Sequence, residues 1–306
     1  MSKYRPPHSR DKISLVDDIE KAFSKKSATL ENKVHSNIVN HFVSGLSIKG
    51  NKIESNRTNR KVIKDLSRIE GQIFEKETTP FLKWILRRFI DIAVINAKYF
   101  RKNSESSVGR VKKQVEANIF SAYGVTKGGT AFTIENGGWL HTLGDFKDPY
   151  NKVRQLAFRA VKSGDMDLAE FKQQLKAQIL PEGKLGPVRH HLETNAIDAF
   201  AEFDRETSKE YATKLGMRAW LYNGGVIDST RPFCEGNDGE VFIEEEIKAF
   251  KNKLNTKNGP QWSTGGYDPF VHLGGHRCRH SLDPISDKVA IRLRSDLIQK
   301  WGLDKN

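Results

Sequence analysis

Two short stretches hold the chain's softest metal ligands. One reads DSTRPFCEGNDGEVF and carries Cys234; the other reads GGHRCRH and carries His276, Cys278 and His280. No other cysteine occurs in the 306 residues. In GGHRCRH the three ligand-type residues are two apart each time, so an extended backbone would turn all of them to one face and Arg277 and Arg279 to the other. Bringing Cys234 to that face gives two cysteines and two histidines, a full tetrahedral shell for a structural zinc ion. His272, just upstream, is a further candidate. The spacing is not the C-x2-C or H-x3–5-H of ribbons and fingers, whose ligands wrap an ion from a tight turn. Two other readings stay open: a reduced cysteine pair in a small core, and a disulfide, which a reducing compartment opposes.

A catalytic metal would need an open coordination position and a group to move protons. Glu244, Glu245 and Glu246 lie between the two stretches, but they open a helix, where acidic side chains complement the dipole. The chain has no H-E-x-x-H, no H-x-E with P-C-x-x-C, no Walker A, no G-x-S-x-G and no dinucleotide fingerprint. A metal-dependent nuclease or hydrolase centred on His276, Cys278 and His280 is therefore the alternative reading, not the leading one.

The net charge is +13, and its location matters more than its size. From Asp228 onward 12 basic residues face 12 acidic ones, whereas Lys49–Lys113 holds 17 basic and 7 acidic residues. A concentrated basic region suggests a polyanion, most simply double-stranded DNA. Lys52, Arg57, Arg60, Lys61, Lys64, Arg68, Arg110, Lys112 and Lys113 are the candidate contacts. With 37% hydrophobic and 29% charged residues the chain is polar but has enough apolar content for a core. No run is long and apolar enough to span a bilayer, and MSKYRPPHSRDK lacks the apolar core of a secretory signal. The expected setting is a reducing cytoplasm, with no membrane partner.

The elements that position these residues read as an α+β chain, mainly helical up to residue 216 and then a small mixed module. Residues 1–12 suggest a flexible basic tail, 13–216 a basic helical domain, and 217–306 the small module. Ile13, Val16, Ile19 and Phe23, then Leu30, Val34, Ile38 and Phe42, have helical spacing, as two helices broken near Ser27 or as one. Gly50–Arg60 reads as an exposed loop, and a helix is expected over Lys61–Phe74. A long buried helix follows Pro80. The stretch 104–150 is irregular, with Ala131–Ile134 as a short strand. Asp167 with Glu170 suggests a capping box, and one helix is expected from Pro187 to a C-cap at Gly216. MRAWLYNGGVID reads as strand, Gly-Gly turn and strand, followed by helices over Ile243–Lys253 and Asp287–Trp301.

The order D-S-T-R-P-F-C, D-G, a helix, then G-G-H-R-C-R-H and L-D-P-I resembles the C-terminal signature of phage head-morphogenesis proteins, the Mu F-like minor capsid family. The matching positions are Asp228, Arg231, Cys234, Asp238, Gly239, Gly275, Cys278, Arg279 and His280. Where the family more often ends in Cys-Arg-Cys, this chain has Cys-Arg-His. The likeness covers the last third; the first half shares only a helical, basic character. It implies a minor component of the virion head, at the head interior or portal vertex. Its partners would be the portal protein and other head proteins, it would be present in the host cytoplasm during assembly, and no enzymatic activity is implied. Asp228, Arg231, Asp238, Gly239, Gly275 and Arg279 would then hold the fold, with Asp228 and Arg231 pairing Arg279 or capping loop N–H groups.

Overall fold

The computed structural model describes residues 4–103, 108–129, 131–263 and 265–303. The fold is α+β. In chain order its elements are α1 (Ser9–Phe42), β1 (Ile48–Lys49), β2 (Lys52–Ile53), α2 (Arg57–Lys64), α3 (Leu66–Ile73) and α4 (Thr79–Asn103). Next come α5 (Val108–Ala122), β3 (Val125–Gly128), β4 (Ala131–Ile134), α6 (Trp139–Thr142), α7 (Lys147–Ser163), α8 (Leu168–Ile179) and α9 (Pro187–Ala196). The last third holds α10 (Ala199–Lys214), β5 (Ala219–Asn223), α11 (Pro232–Asn237), β6 (Val241–Ile243), α12 (Glu244–Lys248), β7 (Ser281–Ile285), α13 (Asp287–Leu293) and α14 (Leu297–Lys300).

Two compact units form, and neither is continuous in sequence. The first comprises Met1–Glu20, Arg87–Thr133 and Asp198–Asn306; the second comprises Lys21–Leu86 and Ile134–Ile197. The unit boundaries fall at 20/21, 86/87, 133/134 and 197/198, none of them at 216/217, and α1 and α4 each run through one of them. The tail expected over residues 1–12 ends early. Helix α1 starts at Ser9, and Lys12 is buried. Residues 1–3 lie outside the described residues. The Lys12 ammonium donates to Ser208 Oγ at 2.8 Å and sits 3.6 Å from carboxylate oxygens of both Asp204 and Asp283. Two buried carboxylates need a cation, and a polar N-terminal segment supplies it.

In the first unit, α4, α5 and α10 share an aromatic core. Phe89 and Phe203 stack at 4.5 Å, Phe100 and Tyr211 at 4.6 Å, and Phe120 packs on Phe132 of β4 at 4.6 Å. The C-terminal sheet has the order β6-β5-β7, antiparallel throughout, with Trp220 opposite both Phe242 and Pro284. The hairpin expected around Gly224–Gly225 does not form. Val226 and Ile227 are exposed, and β5 takes its partners from distant segments. All five residues of β5 are buried, as befits a central strand, and Pro284 sits on an edge strand, where its missing N–H does no harm.

The second unit buries the periodic apolar face of α1 (Phe23, Leu30, Val34, Ile38), which is one unbroken helix. Val153, Leu156 and Ala160 of α7 and Phe171, Leu175 and Ile179 of α8 are buried in the same unit, with Phe171 against Phe42 of α1 at 6.1 Å. Asp167 caps α8 by accepting from the N–H groups of Ala169 (2.7 Å) and Glu170 (3.3 Å), while the Glu170 carboxylate bonds Gln174. Gly50–Arg60 is not a loop: β1 and β2 pair there, and Asn56 caps α2 by accepting from Asn59 N–H at 2.9 Å. The helix expected over 61–74 is two helices divided at Asp65. The one expected over 187–216 is divided at Ile197–Asp198, with Gly216 (φ 65°) closing α10. The helices expected over 243–253 and 287–301 each break as well, the first into a 3-10 turn and the second at Arg294.

Candidate metal centre and basic helix

Cys234, Cys278 and His280 come together, all buried, with one ligand atom from each lying within 4.8 Å of the others. Cys234 sits on the short helix α11, Cys278 in the loop before β7, and His280 next to the start of that strand. The two Sγ atoms are 3.7 Å apart, and His280 Nδ1 lies 4.0 Å from Cys278 Sγ. Thiolates bound to one zinc ion at about 2.3 Å stand about 3.8 Å apart on a tetrahedral edge, so the pair fits two corners of such a site. Gly274 makes the approach feasible. A Cβ there would lie 2.2 Å from Cys234 Sγ.

The surroundings polarise the pair. Tyr222 O–H donates to Cys234 Sγ at 3.3 Å. The hydrogen bond with Cys234, the neighbouring His280 and the Arg205 cation hold Cys278 well below the usual thiol range against the effect of burial. Cys234 is pushed up by that same bond and then by burial. On the far side of the imidazole, His280 Nε2 has no hydrogen-bond partner among the described residues and lies 3.9 Å from Asp238 Oδ1. That oxygen accepts from the N–H groups of Gly224 (3.2 Å) and Gly225 (3.0 Å). A cavity of about 50 Å³ opens on Cys234, Cys278 and His280, lined besides by Ser229, Thr230, Arg231, Arg277 and Arg279.

His276 is not in the group. The backbone turns at Gly275 (φ 103°) and Arg277 (φ 54°), so GGHRCRH is not extended throughout and His276 does not share the face of Cys278 and His280. The His276 ring stacks on Trp262 at 4.1 Å, with His272 on the same indole at 3.9 Å, and His276 Nδ1 lies 3.5 Å from Asp198. Burial pushes His272 down to about 4.

Asp228 and Arg231 do not make the contacts with Arg279 expected of them. Asp228 is exposed in the turn after β5 and Arg231 reaches the His276 carbonyl, so neither pairs with Arg279. Arg279 bonds Asp17 of α1 at 2.6 Å. Asp238 does the N–H capping, and Gly239 (φ 86°) donates its N–H to Tyr222 O at 2.8 Å. The loops converge on a residue that no sequence motif marks. Arg205 of α10 is buried and donates to the carbonyls of His280 (3.0 Å), Val271 (2.8 Å) and Cys278. Its one sequence signal is the small Ala201, Ser208 and Ala212 on the same helix face, which leave room for a long side chain.

The basic candidates fall in both units. Lys52, Arg57, Arg60, Lys61, Lys64 and Arg68 belong to the second unit and are exposed. Arg57, Arg60, Lys61 and Lys64 occupy the i, i+3, i+4 and i+7 positions of α2 and form one stripe opposite buried Asn59. Arg110, Lys112 and Lys113 lie on α5 in the first unit, and Lys112 is paired with Glu116 at 3.3 Å. Among the described residues, no helix is long and apolar enough to cross a membrane. No family model, no curated protein and no solved structure matches the chain.

Proposed function

We propose that the chain is a phage minor head protein, a structural component of the virion at the head interior or portal vertex. In this reading it is made in the host cytoplasm, docks on the portal and other head proteins, and touches packaged double-stranded DNA. The observation that carries the reading is the convergence of an ordered motif. Cys234, Asp238, Cys278 and His280 are spread through the last third, yet they meet at one small core with Tyr222 and Phe233. The α2 stripe supports the DNA contact, since four exposed cations on one face can follow a phosphate backbone without reading bases. The hydrolase alternative loses ground at the cavity, whose lining, among the described residues, brings three arginines and no carboxylate to serve as a base.

The test uses the phage or prophage that encodes the chain. Mass spectrometry of purified particles is expected to find it at far lower copy than the major capsid protein, and deleting its gene is expected to stop the yield of DNA-filled heads. Absence from particles together with normal heads after deletion would overturn the assignment. For the DNA contact, binding to arbitrary duplex is titrated against salt. Replacing Arg57, Arg60, Lys61 and Lys64 by alanine should lower the slope of log K against log salt by about 0.9 for each phosphate no longer neutralised. An unchanged slope would remove DNA from the reading.

A further inference from the structure

We propose that Cys234, Cys278 and His280 bind one zinc ion through three protein ligands, with the fourth position directed to the adjoining cavity and filled by water. The inference is independent of the virion role.

Four observations lead to it. The sulfur separation of 3.7 Å matches a tetrahedral zinc edge and is far from the roughly 2.05 Å of a disulfide. The imidazole presents Nδ1 to Cys278 Sγ and leaves Nε2 buried, without a hydrogen-bond partner among the described residues, facing Asp238 at 3.9 Å. A histidine that gives Nδ1 to a metal carries its proton on Nε2 and directs it to a carboxylate or carbonyl; Asp238 stands where that partner belongs. Asp238 is itself fixed by two backbone N–H groups, so a small rotation of the ring closes the contact. The cavity of about 50 Å³ has room for one water, and Ser229 and Thr230 line it.

Two buried sulfurs and a buried imidazole share a core with Phe233, Phe250 and Leu282, where a thiolate without a cation would be poorly solvated. A divalent ion cancels that charge and ties α11 to the loop before β7 and to the start of the strand. His276 takes no part, because its ring is committed to Trp262 and Asp198.

The experiment measures zinc per chain in full-length protein by elemental analysis, then replaces the ion with cobalt and records the visible and near-ultraviolet spectrum. Wild type and His276→Ala are expected to hold one equivalent and to give cobalt bands of a tetrahedral site with thiolate ligands. Cys278→Ser and His280→Ala are expected to lose the zinc or the thiolate signature. Asp238→Asn keeps the shape of the carboxylate and is expected to weaken zinc affinity about 10- to 100-fold, as other changes outside the ligand set do. Since a cysteine variant that fails to fold would also lose metal, the Asp238→Asn titration and the wild-type cobalt spectrum carry the test. Folded wild type with no zinc after addition of the ion, a cobalt spectrum without thiolate bands, or a chain two hydrogens lighter from a Cys234–Cys278 disulfide would each overturn the proposal. So would equal loss of metal in His276→Ala.

Discussion

Replacing Arg205 by methionine is the sharpest test of how the C-terminal core is held. The guanidinium is buried and satisfies three main-chain carbonyls, those of Val271, Cys278 and His280. Methionine keeps most of the volume and none of the donors. A buried acceptor left unpaired costs about 1–3 kcal/mol, so three give about 3–6 kcal/mol after partial rehydration. That is a large share of the roughly 5–15 kcal/mol that holds a domain folded. Arg279 provides the control, since it ties the same loop to α1 through one carboxylate, Asp17, and its side chain is 32% exposed. Arg279→Met should cost only about 0–1 kcal/mol. Urea denaturation, followed by tryptophan fluorescence and by circular dichroism, compares the two. A loss below about 1 kcal/mol for Arg205→Met, or equal losses for both variants, would refute the view that Arg205 clamps the loops.

Three further outcomes rest on other contacts of the fold. Burial lifts Glu20 to about 7, against Arg205, which lowers it. Its carboxyl thus holds its proton longer in the folded chain than in the unfolded one, so its contribution is full below pH 4.5 and stability falls as pH rises to about 7. Glu20→Gln should lessen that fall in denaturation midpoints measured from pH 4.5 to 8, the rest coming from Glu202, which burial also lifts to about 7. Glu246 goes the other way: Arg294 holds it at about 2, so its stabilisation is present above pH 4.5 and is lost as pH drops towards 2. Glu246→Gln should flatten the acid limb of a pH series. Gly275→Ala should destabilise far more than Gly265→Ala in thermal melts. Both need positive φ, but a Cβ at Gly275 would lie 1.7 Å from the Gln261 carbonyl oxygen, whereas none of the neighbouring atoms comes within 4 Å at Gly265.

Local features were legible in the sequence wherever a short-range interaction decides them. The fourfold apolar spacing of α1, the Asp167 cap of α8, the Gly216 stop of α10 and the strand at Ala131–Ile134 each depend on neighbours within a turn or two. The ligand types in the two cysteine stretches were equally plain. The helical stripe of α2 was hidden, because its sequence is polar and its anchor, Asn59, is satisfied by Ser47 and Glu54 outside the helix.

What tertiary structure decided is which residues meet. The sequence showed that the two cysteines and three of the histidines lie in or beside two short stretches of the last third. It did not determine that positive φ at Gly275 and Arg277 turns His276 onto Trp262 and leaves His280 with the sulfurs. It marked β5 as a strand, but β6 and β7 reach it from segments far along the chain. It placed Lys12 in a polar leader, and only two carboxylates brought from Asp204 and Asp283 made that position a buried cation site. Periodicity and capping are encoded over a few residues. Strand partnership, charge compensation and a shared ligand shell depend on which distant groups must leave water together.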